Sequence, residues 1–294
     1  MNPFTAVAVL GVGNMGMGMA LRLRDRGYAV RVRDIDPARE AQARAEGLTV
    51  CASAAAAATG ACCAIVAVVD AAQAEAVLFG SDGAAAALLP AAAVMLCPTI
   101  APQDTEALCE RLLAQGLDAI DAPMSGGPQR AREGSMSLMV ACADAAFERQ
   151  RLVIEALSSA VFRLGPRLGD GARVKLVNNL LAGINLAGAA EVLALAERAG
   201  LDASLMLDVI ERSSGQSWIG SDRLRRALAG DLAPRAHTTL LNKDTHLALD
   251  MARRLGTDTP VGAQAAALFA RACESGFASL DDASLLEMLR RDGL

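Results

Sequence analysis

The sequence predicts an α/β domain with a largely parallel sheet near residues 1–165, followed by an all-α domain near residues 166–294. In the first part, short apolar runs alternate with segments of helical periodicity, which is the pattern of strands connected by helices. After Pro166 the strand patterns stop and only helical patterns remain. A glycine-rich turn directly after the first apolar run is the third observation, and it bears on what the first domain binds.

Six apolar runs predict the strands of the first domain. The first five are separated by segments with helical patterning, such as 16–26 and 104–114, which favours parallel strands with helices on both faces. The last runs are too close together for full crossover helices, so we expect some antiparallel pairing at the end of the sheet. The runs cover residues 7–10, 30–32, 65–69, 94–96, 138–140 and 161–164.

Six helices are predicted in the second domain. Gly200, Gly230 and Gly256 stand at or just beyond the ends of three of them, where a left-handed C-cap favours glycine. The sequence has no internal repeat and no low-complexity linker. The predicted helices cover residues 172–199, 203–212, 222–229, 243–255, 260–274 and 281–291.

Composition and charge predict a soluble cytoplasmic protein. The net charge of −5 gives no reason to expect nucleic acid or an anionic membrane as a partner. Seven cysteines at irregular spacing, without a Cys-x-x-Cys pair, indicate a reducing compartment. The N-terminus lacks the basic segment of a signal peptide. Residues 47–69 carry no charge, but this run is rich in alanine, and a short surface helix followed by a buried strand explains it better than a membrane span.

A glycine motif points to a Rossmann-type dinucleotide-binding domain. An apolar strand runs directly into the motif, and a helix follows it, which is the context that gives G-x-G-x-x-G its meaning. The first glycine allows the tight turn, the second lets the backbone approach the pyrophosphate, and the third lets helix and strand pack closely. The pyrophosphate is expected at the positive end of the helix dipole. The motif is Gly11-Val12-Gly13-Asn14-Met15-Gly16.

Asp34 ends the second predicted strand, 18 residues after the third glycine, close to the spacing of about 20 residues that is typical of dinucleotide-binding domains. A carboxylate there hydrogen-bonds the ribose hydroxyls of NAD and repels the 2′-phosphate of NADP. Arg31 and Arg33 complicate this prediction, because Arg33 could contact a phosphate or stack on adenine. We expect NAD as the cofactor, with NADP as the less favoured alternative. Alternatively, Asp34 does not bind the cofactor and only caps the turn or helix that begins before Pro37.

Lysine occurs at only two positions, Lys175 and Lys243, although the chain has 28 basic residues. A desolvated ammonium can exchange a proton near neutral pH, whereas a guanidinium stays protonated. Lys175 lies in an otherwise apolar helical segment, on a narrow stripe with Asn178, Asn179 and Ala182. Lys175 and Asn179 are i, i+4 neighbours that could hold one substrate oxygen between them. A lysine that reaches solvent from the first helical turn is the alternative.

Other catalytic arrangements find little support in the sequence. His237 and His246 lack a nearby motif and are expected at the surface or as caps. No cluster has metal-ligand spacing, so no metal is expected. The absence of a Gly-x-Ser-x-Gly elbow argues against a serine hydrolase.

Over nearly its full length the chain resembles the β-hydroxyacid dehydrogenases, which include 3-hydroxyisobutyrate dehydrogenase, tartronate semialdehyde (2-hydroxy-3-oxopropionate) reductase and L-threonate dehydrogenase. Four separated motifs in the same order carry the resemblance. They are GVGNMGMGMA at 11–20, DAPMSGG at 121–127, GARVKLVNN at 171–179 and NKDTHLAL at 242–249.

The resemblance implies an NAD(P)-dependent 3-hydroxyacid dehydrogenase that acts on a CH–OH group of a small-molecule hydroxy acid. It implies that Lys175 is the general acid and base and that NAD lies across the carboxyl edge of the sheet, covered by the helical domain. Substrate-binding residues by this resemblance are Ser125, Gly126, Gly127 and Asn179, with Trp218 closing the pocket. Further cofactor residues by this resemblance are Val69, Asp70, Thr99 and Lys243.

Two features leave the substrate and the activity open. Residues 71–80 and 213–218 look like the L-threonate branch, whereas Asn178-Asn179 looks like the hydroxyisobutyrate and tartronate semialdehyde branch. Three alternative functions remain open. They are an NADPH-dependent imine reductase, which usually lacks a lysine at the position of Lys175, a 6-phosphogluconate-type dehydrogenase, and a non-catalytic dinucleotide-binding protein.

The apolar helix 176–195 suggests a homodimer or homotetramer.

Overall fold

The structure is a computed structural model that describes residues 6–292. It contains two compact units, and the boundary between them falls between Lys175 and Leu176. All strands named in the described residues belong to the first unit, whereas the second is helical. The predicted order of an α/β domain followed by an all-α domain is confirmed.

One sheet of nine strands organises the first unit. Its strands are β1 (Ala6–Leu10), β2 (Ala29–Arg33), β3 (Thr49–Val50), β4 (Cys63–Val66), β5 (Ala93–Leu96), β6 (Asp118–Asp121), β7 (Met124–Ser125), β8 (Met136–Ala141) and β9 (Ser158–Gly165). The strand order is β3-β2-β1-β4-β5-β6-β8-β7, and β9 pairs with β8. The pairs among β1 to β6 are parallel, whereas β8 is antiparallel to β6 and β7 and parallel to β9. The expected antiparallel pairing at the end of the sheet is present.

Both faces of this sheet are buried by helices. Side chains alternate along β1, so that Val7 and Val9 join one apolar core while Ala8 and Leu10 join the other. The first core includes Met19 and Leu23 of α1, and the second includes residues of α4 and α5. The helices are α1 (Asn14–Asp25), α2 (Pro37–Ala45), α3 (Ala54–Ala58), α4 (Ala71–Phe79), α5 (Pro102–Ala114), α6 (Gly127–Glu133) and α7 (Asp144–Leu157).

The second unit is built on the long helix α8, which begins in the first unit. Leu186, Ala190 and Leu193 of α8 pack with apolar residues of the other helices in one core. Gly200, Gly230 and Gly256 have φ of +78°, +74° and +67°, as the left-handed C-cap requires. The helices are α8 (Asp170–Arg198), α9 (Ala203–Glu211), α10 (Trp218–Leu228), α11 (Thr238–Arg254), α12 (Pro260–Ala272) and α13 (Leu285–Asp292).

Two of these helices begin about one turn before their predicted starts. Helix α10 begins at Trp218 because the Ser217 hydroxyl accepts the N–H of Gly220 at 3.1 Å and caps the helix. Helix α11 begins at Thr238, whose backbone N–H donates to the carbonyl of Leu280. The first turn of each of these helices lacks apolar periodicity, and the sequence prediction used that periodicity to place the helix ends.

Helix α8 is apolar along most of its length, but several of its apolar side chains are exposed. Val177 and Leu181 are 61% and 57% exposed, and Val192 and Leu195 are exposed as well. The helix is long and apolar enough to cross a membrane, a property that it shares with core helices of soluble proteins. One side of α8 therefore belongs to the core and another presents apolar side chains to solvent.

Candidate active site

The predicted cofactor residues of the first unit lie in loops at one edge of the sheet. Parallel strands end at the same edge, and β1, β2, β4 and β5 are neighbours in the order β2-β1-β4-β5. The strand order changes direction at β1, and ligands of such sheets bind at the carboxyl edge beside this point. The loop residues are the glycine motif after β1, Asp34 after β2, Val69 and Asp70 after β4, and Thr99 after β5.

The glycine loop has the shape that a dinucleotide requires. Gly11 has φ +93°, and a Cβ there would lie 2.6 Å from the Ala67 carbonyl oxygen. A Cβ on Gly16 would overlap the carbonyl oxygen of Gly11. A Cβ on Gly13, in contrast, would meet no atom within 4 Å, so this glycine faces open space where a pyrophosphate can approach the backbone. Gly11 and Gly16 thus leave no room for a side chain, whereas Gly13 does.

Asp34 holds the glycine loop from the end of β2. Its Oδ2 accepts the backbone N–H of Val12 at 2.6 Å, and its Oδ1 accepts that of Asp36 at 2.9 Å. The side chain of Asn14 is held as well, because its Oδ1 accepts a hydrogen bond from Arg39 at 3.2 Å. Met15 is the second residue of α1 and packs partly buried against the core.

Glu40 restrains the arginine that precedes Asp34. Its carboxylate lies 2.5 Å from a guanidinium nitrogen of Arg33 and 3.2 Å from one of Arg44. Desolvation alone would raise the pKa of Glu40, but the hydrogen bond and charge of Arg33 outweigh it and hold this pKa below its usual value. Arg31 donates instead to the carbonyl of Thr59. The positive charge beside Asp34 is therefore compensated within the protein.

The next two loops present a helix cap and a threonine. Asp70 caps α4 by accepting the N–H of Gln73 at 2.8 Å, and the backbone N–H of Val69 donates to the Gln73 side chain. Val69 is half-exposed. Thr99 is partly buried in the loop between β5 and α5.

The candidate substrate loop follows β6. Ser125 lies in the short strand β7, opposite Ser137 of β8. Gly126 and Gly127 have φ of +131° and +76°, conformations that favour glycine. The two glycines therefore turn the chain between Ser125 and the first turn of α6.

Lys175 lies in the second turn of α8 and is buried, with 7% of its surface exposed. Asp121, the last residue of β6, packs against the start of the same helix. Its Oδ2 accepts the backbone N–H groups of Gly169 at 3.0 Å and Ala172 at 3.2 Å. Desolvation raises the pKa of Asp121 to about 6, although these hydrogen bonds and that of Gly171 oppose the rise. The sequence prediction quoted Asp121 in a motif but gave it no role.

In the second unit, Asp244 connects two of the predicted residues. It is buried, and its two oxygens accept hydrogen bonds from Asn179 and Lys243, each at 2.7 Å. Asn178 donates to the Oδ1 of Asn179 at 3.1 Å. The sequence analysis did not identify Asp244 as a candidate site residue. The only signal that could have identified it is its position directly after Lys243.

The remaining candidates from the sequence are Trp218, His237 and His246. Trp218 is half-exposed at the start of α10. The Nδ1 atoms of His237 and His246 lie 3.0 Å and 2.8 Å from the carbonyl oxygens of Ser279 and Asn242. Within residues 6–292, no group of three or more His, Cys, Asp or Glu side chains is arranged to hold a metal ion.

Comparison with known proteins decides the family. Residues 6–165 match the family described as the NAD binding domain of 6-phosphogluconate dehydrogenase, and residues 169–289 match the NAD-binding domain of NADP-dependent 3-hydroxyisobutyrate dehydrogenase. An L-threonate dehydrogenase of Cupriavidus necator is 38% identical over 96% of this chain and 95% of its own. The chain belongs to the β-hydroxyacid dehydrogenase family.

Further relatives support this assignment. A 3-hydroxyisobutyrate dehydrogenase of Pseudomonas aeruginosa is 34% identical over 90% of this chain and 91% of its own. The crystal structure of a 3-hydroxyisobutyrate dehydrogenase from Salmonella typhimurium superposes with a TM-score of 0.90 at 36% identity, over 96% of this chain and 99% of that chain. This β-hydroxyacid dehydrogenase is thus an oxidoreductase with an NAD(P)-binding domain, as the sequence predicts.

Proposed function

We propose that this enzyme oxidises the hydroxyl group of a small 3-hydroxy acid with NAD, and that Lys175 is its general acid and base. The observation that carries the proposal is the burial of Lys175, one of only two lysines in the chain. A surface lysine serves no purpose that arginine does not serve elsewhere in this chain, whereas a desolvated ammonium can give up its proton. We therefore attribute the lysine at position 175 to the ability of a desolvated ammonium to give up its proton.

Different residues of the chain bind the substrate and transfer its proton. Ser125, Gly126 and Gly127 bind the substrate carboxylate through the hydroxyl and backbone N–H groups, which fixes the carbon skeleton. Lys175 and Asn179 are four residues apart on α8 and face the same side, and we place the substrate hydroxyl between them. Lys175 removes the hydroxyl proton during oxidation and returns it to the carbonyl oxygen in the reverse direction. Bound NAD supplies the hydride acceptor.

Asp244 supports this arrangement through Asn179. Because the carboxylate accepts one amide N–H of Asn179, the orientation of the amide is fixed before the substrate binds. The second carboxylate oxygen holds Lys243, to which we assign a role in cofactor binding. Trp218 is assigned to the substrate pocket on the resemblance alone.

We propose NAD rather than NADP because of the charges around Asp34. A carboxylate at the end of β2 suits the ribose hydroxyls and repels a 2′-phosphate. Glu40 engages Arg33, the nearest cation in sequence, and thereby removes the charge that a 2′-phosphate would need. Gly11 to Gly16 bind the pyrophosphate, Val69 and Asp70 line the adenosine side, and Thr99 lies at the nicotinamide.

The first experiment is to follow NADH or NADPH formation at alkaline pH with a panel of small acids. The panel contains L-threonate, 3-hydroxyisobutyrate, D-glycerate, L-serine and 3-hydroxypropionate. L-Threonate comes first because the C. necator relative carries that name. L-Threonate has hydroxyls on both C2 and C3, so the carbon that is oxidised must be identified from the product by NMR.

Each outcome decides a part of the proposal. Turnover of at least one acid with NAD, lost in Lys175→Ala, supports it. Turnover only with NADP would contradict the role of Asp34, and oxidation of L-threonate at C2 alone would contradict the 3-hydroxy acid assignment. No turnover of any acid, despite NAD binding, would favour a non-catalytic dinucleotide-binding protein.

We propose that the enzyme is cytoplasmic and forms a homodimer or homotetramer. The exposed apolar side chains of α8, among them Val177 and Leu181, support association because a soluble chain gains free energy by covering such a surface. Light scattering measures the assembly directly. A monomer mass at micromolar concentration would contradict this part of the proposal.

A further inference from the structure

We propose that Asp121 is a positioning residue, which ties the start of α8 to the substrate loop and thereby sets the place of Lys175. The inference rests on the proposed role of Lys175 as the proton-transferring residue. Neither the motif resemblance nor the comparisons give Asp121 a role.

The backbone of Asp121 is fixed by the sheet. Asp121 is paired with Leu96 of β5 and with Ala141 of β8, so it lies between two neighbouring strands. Its side chain is 1% exposed and has no room to reorient towards solvent. The carboxylate is therefore a rigid part of the sheet edge rather than a mobile cap.

Helix α8 is built to receive this carboxylate. The N–H groups of Gly169 and Ala172 both donate to Oδ2, which satisfies donors that the start of a helix leaves without intrahelical partners. A Cβ at position 171 would lie 2.7 Å from Oδ1, so only glycine lets the helix approach this closely. The contact thus depends on a matched pair, Asp121 and Gly171.

This contact lies on the helix face that carries Lys175. Residues 171 and 172 are four and three positions before Lys175, and such positions share one face of an α-helix. Side chains of a helix lean towards its N-terminus, so the Lys175 stem extends back over the turn that Asp121 holds. A shift or rotation of that turn moves Lys175 with it.

The same residue begins the segment that carries the substrate loop. Asp121 ends β6, and Ser125 follows four residues later in β7. One side chain therefore connects the loop proposed to bind the carboxylate with the helix proposed to move the proton. The distance between these two groups decides the rate, because misplacement by about 1 Å can cost about 100-fold.

Stability alone does not explain a carboxylate here. A serine or asparagine caps an ordinary helix start as well as an aspartate does, but it offers one acceptor oxygen, whereas the backbone N–H groups of Gly169, Gly171 and Ala172 all hydrogen-bond to the Asp121 carboxylate. Burial raises the pKa of Asp121 to about 6, so the charged form present at neutral pH is disfavoured by folding. The charged neighbour that raises this pKa further is Asp170, which is paired with Arg173, and Arg173 is paired in turn with Glu106. Cys97, directly after β5, and Cys109 of α5 lie close enough for the charge of Asp121 to raise the pKa of each thiol.

The decisive experiment compares Asp121→Asn with Asp118→Asn. Asp118 lies on the same strand but forms a surface ion pair with Arg149, so it controls for loss of a carboxylate from β6. Two readouts are measured: kcat and KM for the acid that the wild type turns over, and the NMR signals of lysine labelled with ¹³C at Cε. Because the chain has two lysines, the spectrum contains Lys175 and Lys243 alone, and Lys243→Arg assigns them.

We expect Asp121→Asn to lower kcat at least about tenfold, to leave the Kd of NAD within about twofold, and to shift the Lys175 signal and its titration midpoint. Asp118→Asn should change none of these. An Asp121→Asn enzyme with wild-type kcat and an unchanged Lys175 signal would overturn the proposal. If the wild type turns over no acid, the proposed function fails, while the NMR signal still tests the positioning.

Gly171→Ala provides a second variant that leaves the charge of Asp121 in place. Its methyl group must push the helix away from the carboxylate, so the kcat loss and the Lys175 shift should appear again. If both variants lose their folded structure in thermal unfolding, the contact serves stability rather than positioning, and the proposal is overturned.

Discussion

Asn179 and Asp244 form a hydrogen bond of 2.7 Å, from the amide Nδ2 to the carboxylate Oδ2. Asn178 donates to the other end of the same amide at 3.1 Å, so both polar atoms of Asn179 are held by neighbours. Asp244 also accepts from Lys243, and therefore two residues proposed for substrate and cofactor share one buried carboxylate. Removing that carboxylate should disturb both residues at once.

Asp244→Asn is expected to lower kcat by about 10- to 100-fold. An asparagine has one acceptor oxygen and no charge, so the hydrogen bond to either Asn179 or Lys243 is lost, at a cost of about 1–3 kcal/mol. Steady-state kinetics and thermal unfolding measure the two effects. Asp250→Asn is the matched control, because Asp250 lies on the same helix in an exposed pair with Arg253. Wild-type kcat in Asp244→Asn would rule out its support of Asn179.

Lys175→Ala should remove most of kcat while the Kd of NAD stays within about twofold of the wild type. Loss of a general acid and base typically costs 10²- to 10⁴-fold, whereas the cofactor contacts lie elsewhere in the chain. Lys175→Arg should be almost as inactive, because a guanidinium does not give up its proton. Titration of NADH fluorescence gives the cofactor affinity independently of turnover. Equal turnover by Lys175→Arg would show that charge rather than proton transfer is what the enzyme needs.

Gly13→Ala and Gly16→Ala should separate cofactor binding from folding. A methyl group on Gly13 meets no atom within 4 Å, so the free energy of unfolding of the apoenzyme should stay within about 0.5 kcal/mol of the wild type. The same methyl group blocks the pyrophosphate, and the Kd of NAD should rise at least about tenfold. In Gly16→Ala the methyl group overlaps the Gly11 carbonyl, and the apoenzyme itself should be destabilised. Unaltered NAD binding by Gly13→Ala would place the pyrophosphate elsewhere.

The sequence predicts well those features that depend only on residues close together in the chain. The glycine loop, its strand and its helix are contiguous, and Asp34 lies at a fixed interval after them, so spacing alone located them. Strand β6 was not among the predicted strands. Asp118 and Asp121 interrupt its apolar character, and Asp121 is buried only because the start of α8 supplies hydrogen-bond donors to it.

Contacts between distant segments account for what the sequence did not predict. Glu40 is the i, i+4 neighbour of Arg44 on α2, a pair that the sequence spacing allows, but its ion pair with Arg33 depends on how α2 packs beside β2. Asp244 acquires a role only because α11 packs with Asn179 of α8. Val177 and Leu181 show a different limit, because their apolar character favours burial while the single chain leaves them exposed. Hydrophobicity alone does not say whether a side chain is covered by its own chain.

The stability of Asp121→Asn relative to the wild type should depend on pH. The pKa of Asp121 rises from 3.8 to about 6 on folding, so the stabilising protonated form is fully present below pH 4 and is lost as the pH rises through 6. Asparagine resembles the protonated form at every pH. Between pH 4 and 7.5 the difference in the free energy of unfolding should therefore move in favour of the variant, by about 3 kcal/mol.

Urea unfolding of both proteins in the same series of buffers measures this difference. Other titrating groups, including Asp282 with a pKa raised to about 7 by burial, are common to both proteins and cancel. A difference that stays constant from pH 4 to 7.5 would mean that Asp121 does not titrate in this range.

Glu40→Gln should improve the binding of NADP. The substitution removes the carboxylate that pairs with Arg33, and the freed guanidinium can then reach a 2′-phosphate beside Asp34. One such charge-assisted contact is worth about 1.4 kcal/mol, so the Kd of NADP should fall about tenfold while that of NAD changes by less than about threefold. Isothermal titration of the apoenzyme with each cofactor measures both constants without turnover.

Two further variants identify the source of this gain. Glu46→Gln alters an exposed carboxylate at the end of the same helix and should leave both dissociation constants unchanged. The double variant Glu40→Gln/Arg33→Ala should lose the improvement, because the cation that binds the phosphate is gone. If the double variant still binds NADP more tightly than the wild type, the gain comes from removing the negative charge of Glu40 rather than from releasing Arg33. The preference for NAD would then depend on repulsion by the acidic residues after β2, and replacing Asp34 would be the more effective route to NADP.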